Sequence, residues 1–144
     1  MGRTATITVE FAKPARLHPT IDLLLEAGWT PGATECLYYL PLHDNGDYDF
    51  QSIDSSQFET LLPLFEQQEA LGEEVGFGIK WRGESGGPLL FRPDGSLKLV
   101  TMYAPIRLEK LSFCMDFSWY LERLLPPLVA ADYWPEAIIC LDAD

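Results

Sequence analysis

The chain is poor in basic side chains. Its 144 residues include 10 Lys and Arg against 22 Asp and Glu, which gives a formal net charge of −12 at pH 7 and an isoelectric point near 4.4. Such a field repels polyanions and attracts cationic partners within a screening length of about 8 Å at physiological salt. The balance argues against binding of nucleic acid or of anionic membranes, and it favours a basic protein partner or simply high solubility.

Long apolar runs and paired cysteines are also missing. No stretch reaches the roughly 18 apolar residues that a membrane span requires, and the first residues lack the apolar run of a signal peptide. Cys36, Cys114 and Cys140 are odd in number and widely spaced, which is typical of reduced thiols rather than of a disulfide framework or a zinc site. We therefore expect a soluble cytoplasmic protein with no metal site and no cofactor.

Catalytic motifs are scarce. His18 and His43 are the only histidines, and neither stands in a pattern with Cys or Ser that marks nucleophilic catalysis. Residues 83–87 (GESGG) match the G-x-S-x-G motif of serine hydrolases, but Pro88 and a strand pattern follow where that motif requires a helix. We expect a flexible hairpin loop there and assign no catalytic residue.

What the chain does contain is apolar material for one core. Apolar residues make up 47% of the sequence, 18 residues are aromatic, and no repeat or linker divides the chain, so residues 1–144 are expected to form a single domain. Alternating or short apolar runs predict strands over residues 4–11, 36–42, 48–53, 75–81, 89–92, 97–103 and 137–141. Helical spacing and capping signals predict helices over residues 19–27, 56–71 and 113–131.

The predicted order is therefore β-α-β-β-α-β-β-β-α-β. Strands that cluster between isolated helices favour an α+β fold, with a mostly antiparallel sheet and about three helices packed largely on one face. Residues 137–141 (AIICL) are wholly apolar, which predicts a strand covered on both faces at the centre of the sheet. Pro126-Pro127 predicts a break in the last helix, and Ser56-x-x-Glu59 predicts a capping box for the second.

Two acidic segments are candidates for contact with a partner. Asn45-Gly46 predicts a two-residue hairpin turn that places Asp44 opposite Asp47. The spacing of the aspartates around this turn does not fit a calcium loop, because the twelfth position holds Ser55 instead of a bidentate Glu. The residues assigned to the first contact patch are Asp44, Asp47, Tyr48 and Asp49.

The second acidic segment lies late in the second predicted helix. Negative charge there opposes the helix dipole, at a cost of about a few tenths of a kcal/mol for each residue, so local stability does not account for it. The residues assigned to this patch are Glu69, Glu73 and Glu74. Trp134 stands in a predicted loop and is the tryptophan expected to be exposed at a partner interface.

These features favour a non-enzymatic acidic binding protein. The leading hypothesis is an immunity or inhibitor protein that neutralises a basic partner, such as a toxin domain, through electrostatic and aromatic contacts. The alternative is a small-molecule-binding domain or a small enzyme, with a pocket between the third helix and the strand that carries Gly76 and Gly78. Self-association through a sheet edge is a third possibility, and the expected state is a monomer or a small homo-oligomer.

Overall fold

The computed structural model of the protein describes residues 4–32 and 36–143. The strands and helices within them are β1 (Thr4–Phe11), α1 (Leu17–Ala27), β2 (Trp29–Pro31), β3 (Cys36–Tyr39), β4 (Gln51–Asp54), α2 (Phe58–Ala70), β5 (Val75–Trp81), β6 (Ser85–Phe91), β7 (Leu97–Val100), α3 (Phe117–Ala130) and β8 (Pro135–Ala143). The predicted α+β class and the predicted order of elements are confirmed, and the short strand β2 is an addition. No helix in the described ranges is long and apolar enough to cross a membrane.

A single antiparallel sheet organises the molecule. Its strand order is β4-β3-β5-β6-β7-β1-β8, and β2 lies beside β3 along the same side of β5. Because side chains alternate along a strand, each strand presents one set to the helices and one set to the opposite face. Phe65 of α2 stacks on Phe77 of β5 at 5.3 Å, and Tyr120 of α3 reaches Ser85 of β6 on that same face. We call these the helix-covered face and the helix-free face.

The helix α3 runs through its two prolines, so the predicted break is wrong. A proline lacks the N–H that would bond to the carbonyl four residues earlier, and Pro127 leaves the carbonyl of Arg123 without a helical donor. The indole Nε1 of Trp29 donates to that carbonyl at 3.1 Å. A side chain from outside the helix thus replaces one of the missing hydrogen bonds, and the helix continues.

The capping box predicted at Ser56 does not form either. The carboxylate of Asp54 accepts hydrogen bonds from both the backbone N–H and the hydroxyl of Ser56, at 2.9 and 2.7 Å. Asp54 thereby caps a 3₁₀ turn over Ser55–Gln57, and α2 starts only at Phe58. Ser56 therefore lies inside the 3₁₀ turn, and Gln57 takes the N-cap position of α2 that the capping box requires for a serine.

The G-x-S-x-G segment is not a flexible loop. The turn is confined to residues 82–84, and Ser85, Gly86 and Gly87 already belong to the buried strand β6. The hydroxyl of Ser85 donates to the carbonyl of Tyr103 at 3.0 Å and lies 2.8 Å from the hydroxyl of Tyr120. A Cβ at Gly86 or Gly87 would collide with a backbone carbonyl of the neighbouring strand, so the glycines serve close strand packing.

The predicted β3–β4 hairpin forms, but its strands are shorter than expected. Tyr39 pairs with Gln51, so the connection spans residues 40–50 instead of two residues. The Asn45-Gly46 turn does exist, since both residues have positive φ and the N–H of Asp47 bonds to the carbonyl of Asp44 at 3.2 Å. The turn sits at the tip of a long loop rather than at the end of a ladder.

The last strand, β8, lies at an edge of the sheet and not at its centre. Its nine residues pair only with β1, and Ile138, Ile139 and Leu141 are 41%, 53% and 56% exposed. The prediction of a central strand is therefore wrong. The apolar run correctly indicated a strand, but β1 already lies next to β7 and leaves only its outer side for β8.

Candidate functional site

The loop over residues 40–50 is held in shape by one of its own carboxylates. Asp44 accepts hydrogen bonds from the backbone N–H groups of Tyr48 and Asp49, at 2.8 and 2.9 Å. His43, Asn45 and Tyr48 all have φ between 54° and 61°, a left-handed backbone conformation that residues other than glycine rarely adopt. The bonds to Asp44 therefore compensate an unusual backbone path, and this aspartate has a structural role in addition to its charge.

Two glutamates after α2 fasten this loop to the rest of the molecule. The Glu73 carboxylate accepts from the backbone N–H of His43 at 2.8 Å, while its other oxygen lies 2.8 Å from Nδ1 of the same histidine. The hydroxyl of Tyr48 bonds to Glu74, and this bond is the main reason that the pKa of Tyr48 is raised above its ordinary value. The structure thus brings together the two acidic patches that the sequence predicted separately.

A cavity opens where the two segments meet. It has a volume of about 230 Å³ and is lined by Leu40, Asp44, Asn45, Gly46, Gly72, Glu73 and Glu74. We call it the acidic recess, because three carboxylates from two segments line it. Asp47 and Asp49 belong to the same loop and are exposed to solvent, so they add negative charge beside it.

Among residues 4–32 and 36–143, Arg92 and His43 contact the glutamates of the acidic recess. Arg92 Nε lies 3.7 Å from Glu74, and its side chain is 40% exposed. The contact of His43 with Glu73 is an ion pair only when the imidazole is protonated. Within residues 4–32 and 36–143, no group of three or more His, Cys, Asp or Glu side chains has the geometry of a metal site.

Glu69 serves a different purpose. Its Oε2 accepts from the backbone N–H of Leu17 at 3.0 Å, at the first residue of α1, where the N-cap residue Arg16 provides no side-chain bond. A carboxylate at a helix N-terminus satisfies a free donor and interacts favourably with the helix dipole. The charge of Glu69 is unfavourable at the C-terminal end of α2, where it opposes the helix dipole, and favourable at the N-terminus of α1.

Trp134 is exposed as expected but belongs to another surface. Its ring is 57% exposed, and its Nε1 donates to Asp132 at 3.1 Å. It directly precedes β8, which lies four strands away from β5 in the sheet, or about 19 Å at the usual strand spacing. Trp134 therefore cannot join the acidic recess in one small contact patch.

The pocket expected beside Gly76 and Gly78 is not formed. Both glycines face the helix-free side of β5, whereas α3 packs on the other side. A Cβ at Gly78 would meet the ring of Tyr103, and burial raises the pKa of this tyrosine to about 12. At Gly76 the space is taken by Leu40 and other apolar side chains. The glycines make room for packing.

A different cavity lies on the helix-free face. It has a volume of about 260 Å³ and is lined by Thr6, Tyr48, Phe50, Pro88, Leu90, Lys98, Val100 and Met102. Most of these side chains are apolar. Two of them, Tyr48 and Phe50, belong to the loop over residues 40–50, which Glu73 and Glu74 fasten to the rest of the molecule. The cavity is a candidate for an apolar molecule, at a place that the sequence did not indicate.

The β8 edge is the surface that sequence reasoning missed. Its exposed side chains were assigned to the core because a wholly apolar run is typical of a covered strand. The loop over residues 107–115 is attached to this strand, since Met115 N–H donates to Asp142 of β8 at 2.8 Å. The exposed apolar side chains of that loop are Leu108, Leu111 and Phe113.

Comparisons with known proteins add no assignment. Neither a protein-family model, nor a curated protein, nor a solved structure matches the chain. Inferences about function therefore depend on the geometry described above.

Proposed function

We propose that the protein binds a basic protein partner through the acidic recess and the aspartates beside it. The observation that carries this proposal is the convergence of Asp44, Glu73 and Glu74 on one cavity of about 230 Å³. Three like charges at one cavity repel each other, and a Lys or Arg side chain that enters relieves that repulsion. The recess is large enough for the end of one such side chain.

The internal hydrogen bonds of these acids do not prevent recognition. An ionised carboxylate offers about four lone-pair positions, and the contacts of Glu73 with His43 use only some of them. The bonds instead hold the carboxylates in place before the partner arrives, which reduces the entropy lost on binding. Asp47 and Asp49 raise both the rate of association and the affinity, because exposed charges beside the recess steer an approaching partner and attract its cations in the complex.

An immunity or inhibitor protein that neutralises a basic toxin domain is the class that we favour. A toxin that acts on a polyanion needs a basic surface, and an acidic protein that covers this surface blocks access by charge and by volume. The chain has a net charge of −12, so its field attracts such a surface from any direction. The recess then selects one orientation.

The test compares two double charge reversals. Asp47→Lys with Asp49→Lys alters the loop beside the recess, and Glu84→Lys with Glu122→Lys makes the same change in net charge at the other end of β5. All four side chains are exposed. The partner is captured from a lysate of the source organism, and its affinity for each purified variant is measured by calorimetry.

We expect the loop variant to lose at least about tenfold in affinity and the distant variant to lose only a few-fold. Equal losses would mean that the net charge alone attracts the partner, and unchanged affinity in both would remove the acidic surface from consideration. Circular dichroism of both variants controls for folding.

The cavity on the helix-free face supports a second candidate, the binding of a small apolar molecule. Its lining includes Leu90, Val100 and Met102, with Lys98 as a cation. An apolar dye that binds there should do so with little dependence on salt, in contrast to a basic protein. Val100→Lys should abolish dye binding and leave the basic partner bound.

A further inference from the structure

The centre of the free β8 edge, residues 137–141, lacks the features that keep sheet edges apart, whereas Pro135, Glu136 and Asp142 lie toward its two ends. Natural edges are made short, or carry lysines, a proline or a bulge, because an open row of N–H and C=O groups pairs with any available strand. β8 is nine residues long, and no charge or proline interrupts residues 137–141. The register shift in its pairing with β1 lies at one end, at Glu10/Phe11.

The edge is apolar on both faces. Ile138 lies opposite Val9 and therefore points toward the helix-covered face, whereas Ile139 and Leu141 lie opposite Thr8 and Thr6 and point toward the helix-free face. All three side chains are more than 40% exposed. A strand edge with this composition is prone to pair with another strand.

We propose that a second copy of this chain covers it, with the two β8 strands paired antiparallel about a two-fold axis. The sequence of residues 137–141 contains no charge, so charge complementarity does not select a basic partner here. The segment is instead complementary to itself. With the axis at Cys140, Ile139 faces Leu141 of the second copy and Ile138 faces Asp142. An axis at Ile139 is less favourable, because it would place Asp142 opposite Glu136.

The dimer continues the sheet through both subunits. Backbone hydrogen bonds join the two edges, and Ile139 and Leu141 of both copies form one apolar row on the helix-free face. The edge at β8 is thereby closed, while the acidic recess beside β5 stays accessible because it lies four strands away. This proposal is independent of the proposed partner, since the two surfaces share no residue.

The closing experiment uses two matched leucines. Leu141 in β8 is 56% exposed and Leu71 after α2 is 55% exposed, so Leu141→Lys and Leu71→Lys make the same chemical change at equal exposure. Sedimentation equilibrium of the full chain is measured over a range of concentrations for wild type and both variants. Because each dimer would hold two lysines near the axis, we expect Leu141→Lys to weaken association by about a hundredfold and Leu71→Lys to leave it unchanged.

Cross-linking supplies a second readout. Cys140 is exposed, whereas Cys36 and Cys114 are half-buried. In either register the two Cys140 side chains lie within about 8 Å of each other, so a short bis-maleimide should join wild-type subunits and should fail with Cys140→Ser. A wild-type chain that stays monomeric at all concentrations, or a Leu141→Lys dimer as strong as wild type, would overturn the proposal. If Leu141→Lys failed to fold, Ile139→Lys, at 53% exposure, would be used in its place.

Discussion

The two ends of the sheet are built in opposite ways. At one end β4 has four residues, three of which are exposed and polar, and the neighbouring β2 has three residues and ends in Pro31. At the other end β8 has nine residues, and although Pro135, Glu136 and Asp142 lie toward its ends, its centre is an uninterrupted apolar run. Short, polar and proline-bearing edges resist strand pairing, whereas a long apolar edge favours it.

This difference indicates a division of roles within one sheet. The β4 end is adapted to solvent, and the acidic recess is formed by the loop between β3 and β4 together with the turn before β5. The β8 end is adapted to contact with another strand. The proposed dimer would be closed rather than a filament, because only the β8 edge of each copy is long and apolar enough to pair, whereas the β4 edge is short and polar.

Hydrogen exchange gives the largest expected contrast between the two edges. When the concentration is raised from the monomer range to the dimer range, alternate amides of residues 137–141 should exchange slower by about a hundredfold, because their outward N–H groups become bonded. Amides of residues 51–54 in β4 should not change. Slowing at both edges would indicate general aggregation, and the Leu141→Lys variant should show slowing at neither.

Salt should act on the two surfaces in opposite directions. Screening weakens attraction between a basic partner and the acidic recess, so that affinity should fall by about tenfold from low to physiological ionic strength. Screening also weakens repulsion between two chains of charge −12, so the dimer should become a few-fold tighter over the same range. Calorimetry and sedimentation on the same samples would check both signs. If both affinities fell with salt, the β8 contact would have to depend on attractive charges.

The smallest expected effect concerns the end of β4. Hydrogen bonds from the side chain and backbone of Ser56 lower the pKa of Asp54 below 3.8. A carboxyl group whose pKa is lower in the folded chain stabilises the fold above its ordinary pKa, and that contribution is lost as the pH falls through the lowered value. Asp54→Ala should thus reduce Tm slightly at neutral pH, and the difference should vanish in strong acid.

The control for that prediction is Asp47→Ala. Asp47 is also an exposed aspartate, in the loop between β3 and β4, and it does not cap a helix or turn in the described structure. Thermal unfolding followed by circular dichroism should show little change in Tm at any pH. A pH-dependent loss in this variant equal to that of Asp54→Ala would mean that the net charge, and not the cap, sets the acid stability.

Much of the fold could be predicted because its signals are local. The alternation over Thr4–Phe11 and the apolar residues of Val75–Trp81 indicated strands with the bounds that the structure has. The continuation of α3 through Pro126-Pro127 could not be predicted, because its replacement donor, Trp29, lies 94 residues from Arg123. The position of β8 was missed because an apolar run has the same pattern whether its own chain or another chain covers it.

The sequence could predict which acids belong to the candidate site, but not that they lie together in space. Asp44 was singled out as part of an acidic turn, and Glu73 and Glu74 as acids that local stability does not account for. Their convergence depends on the contact between His43 and Glu73, which are 30 residues apart. Glu69 shows the same difficulty, since its benefit lies at the start of α1 and is invisible within its own helix.

The bond between Trp29 and α3 also makes this tryptophan a built-in reporter. Its ring is fully buried, and its single donor is committed to the carbonyl that Pro127 leaves free. If α3 moved away from the sheet, that indole would lose its acceptor and meet water in the same step, which would shift its fluorescence to longer wavelength. With Trp81, Trp119 and Trp134 replaced by phenylalanine, the packing of the proline-containing helix against the sheet could therefore be followed by the fluorescence of Trp29.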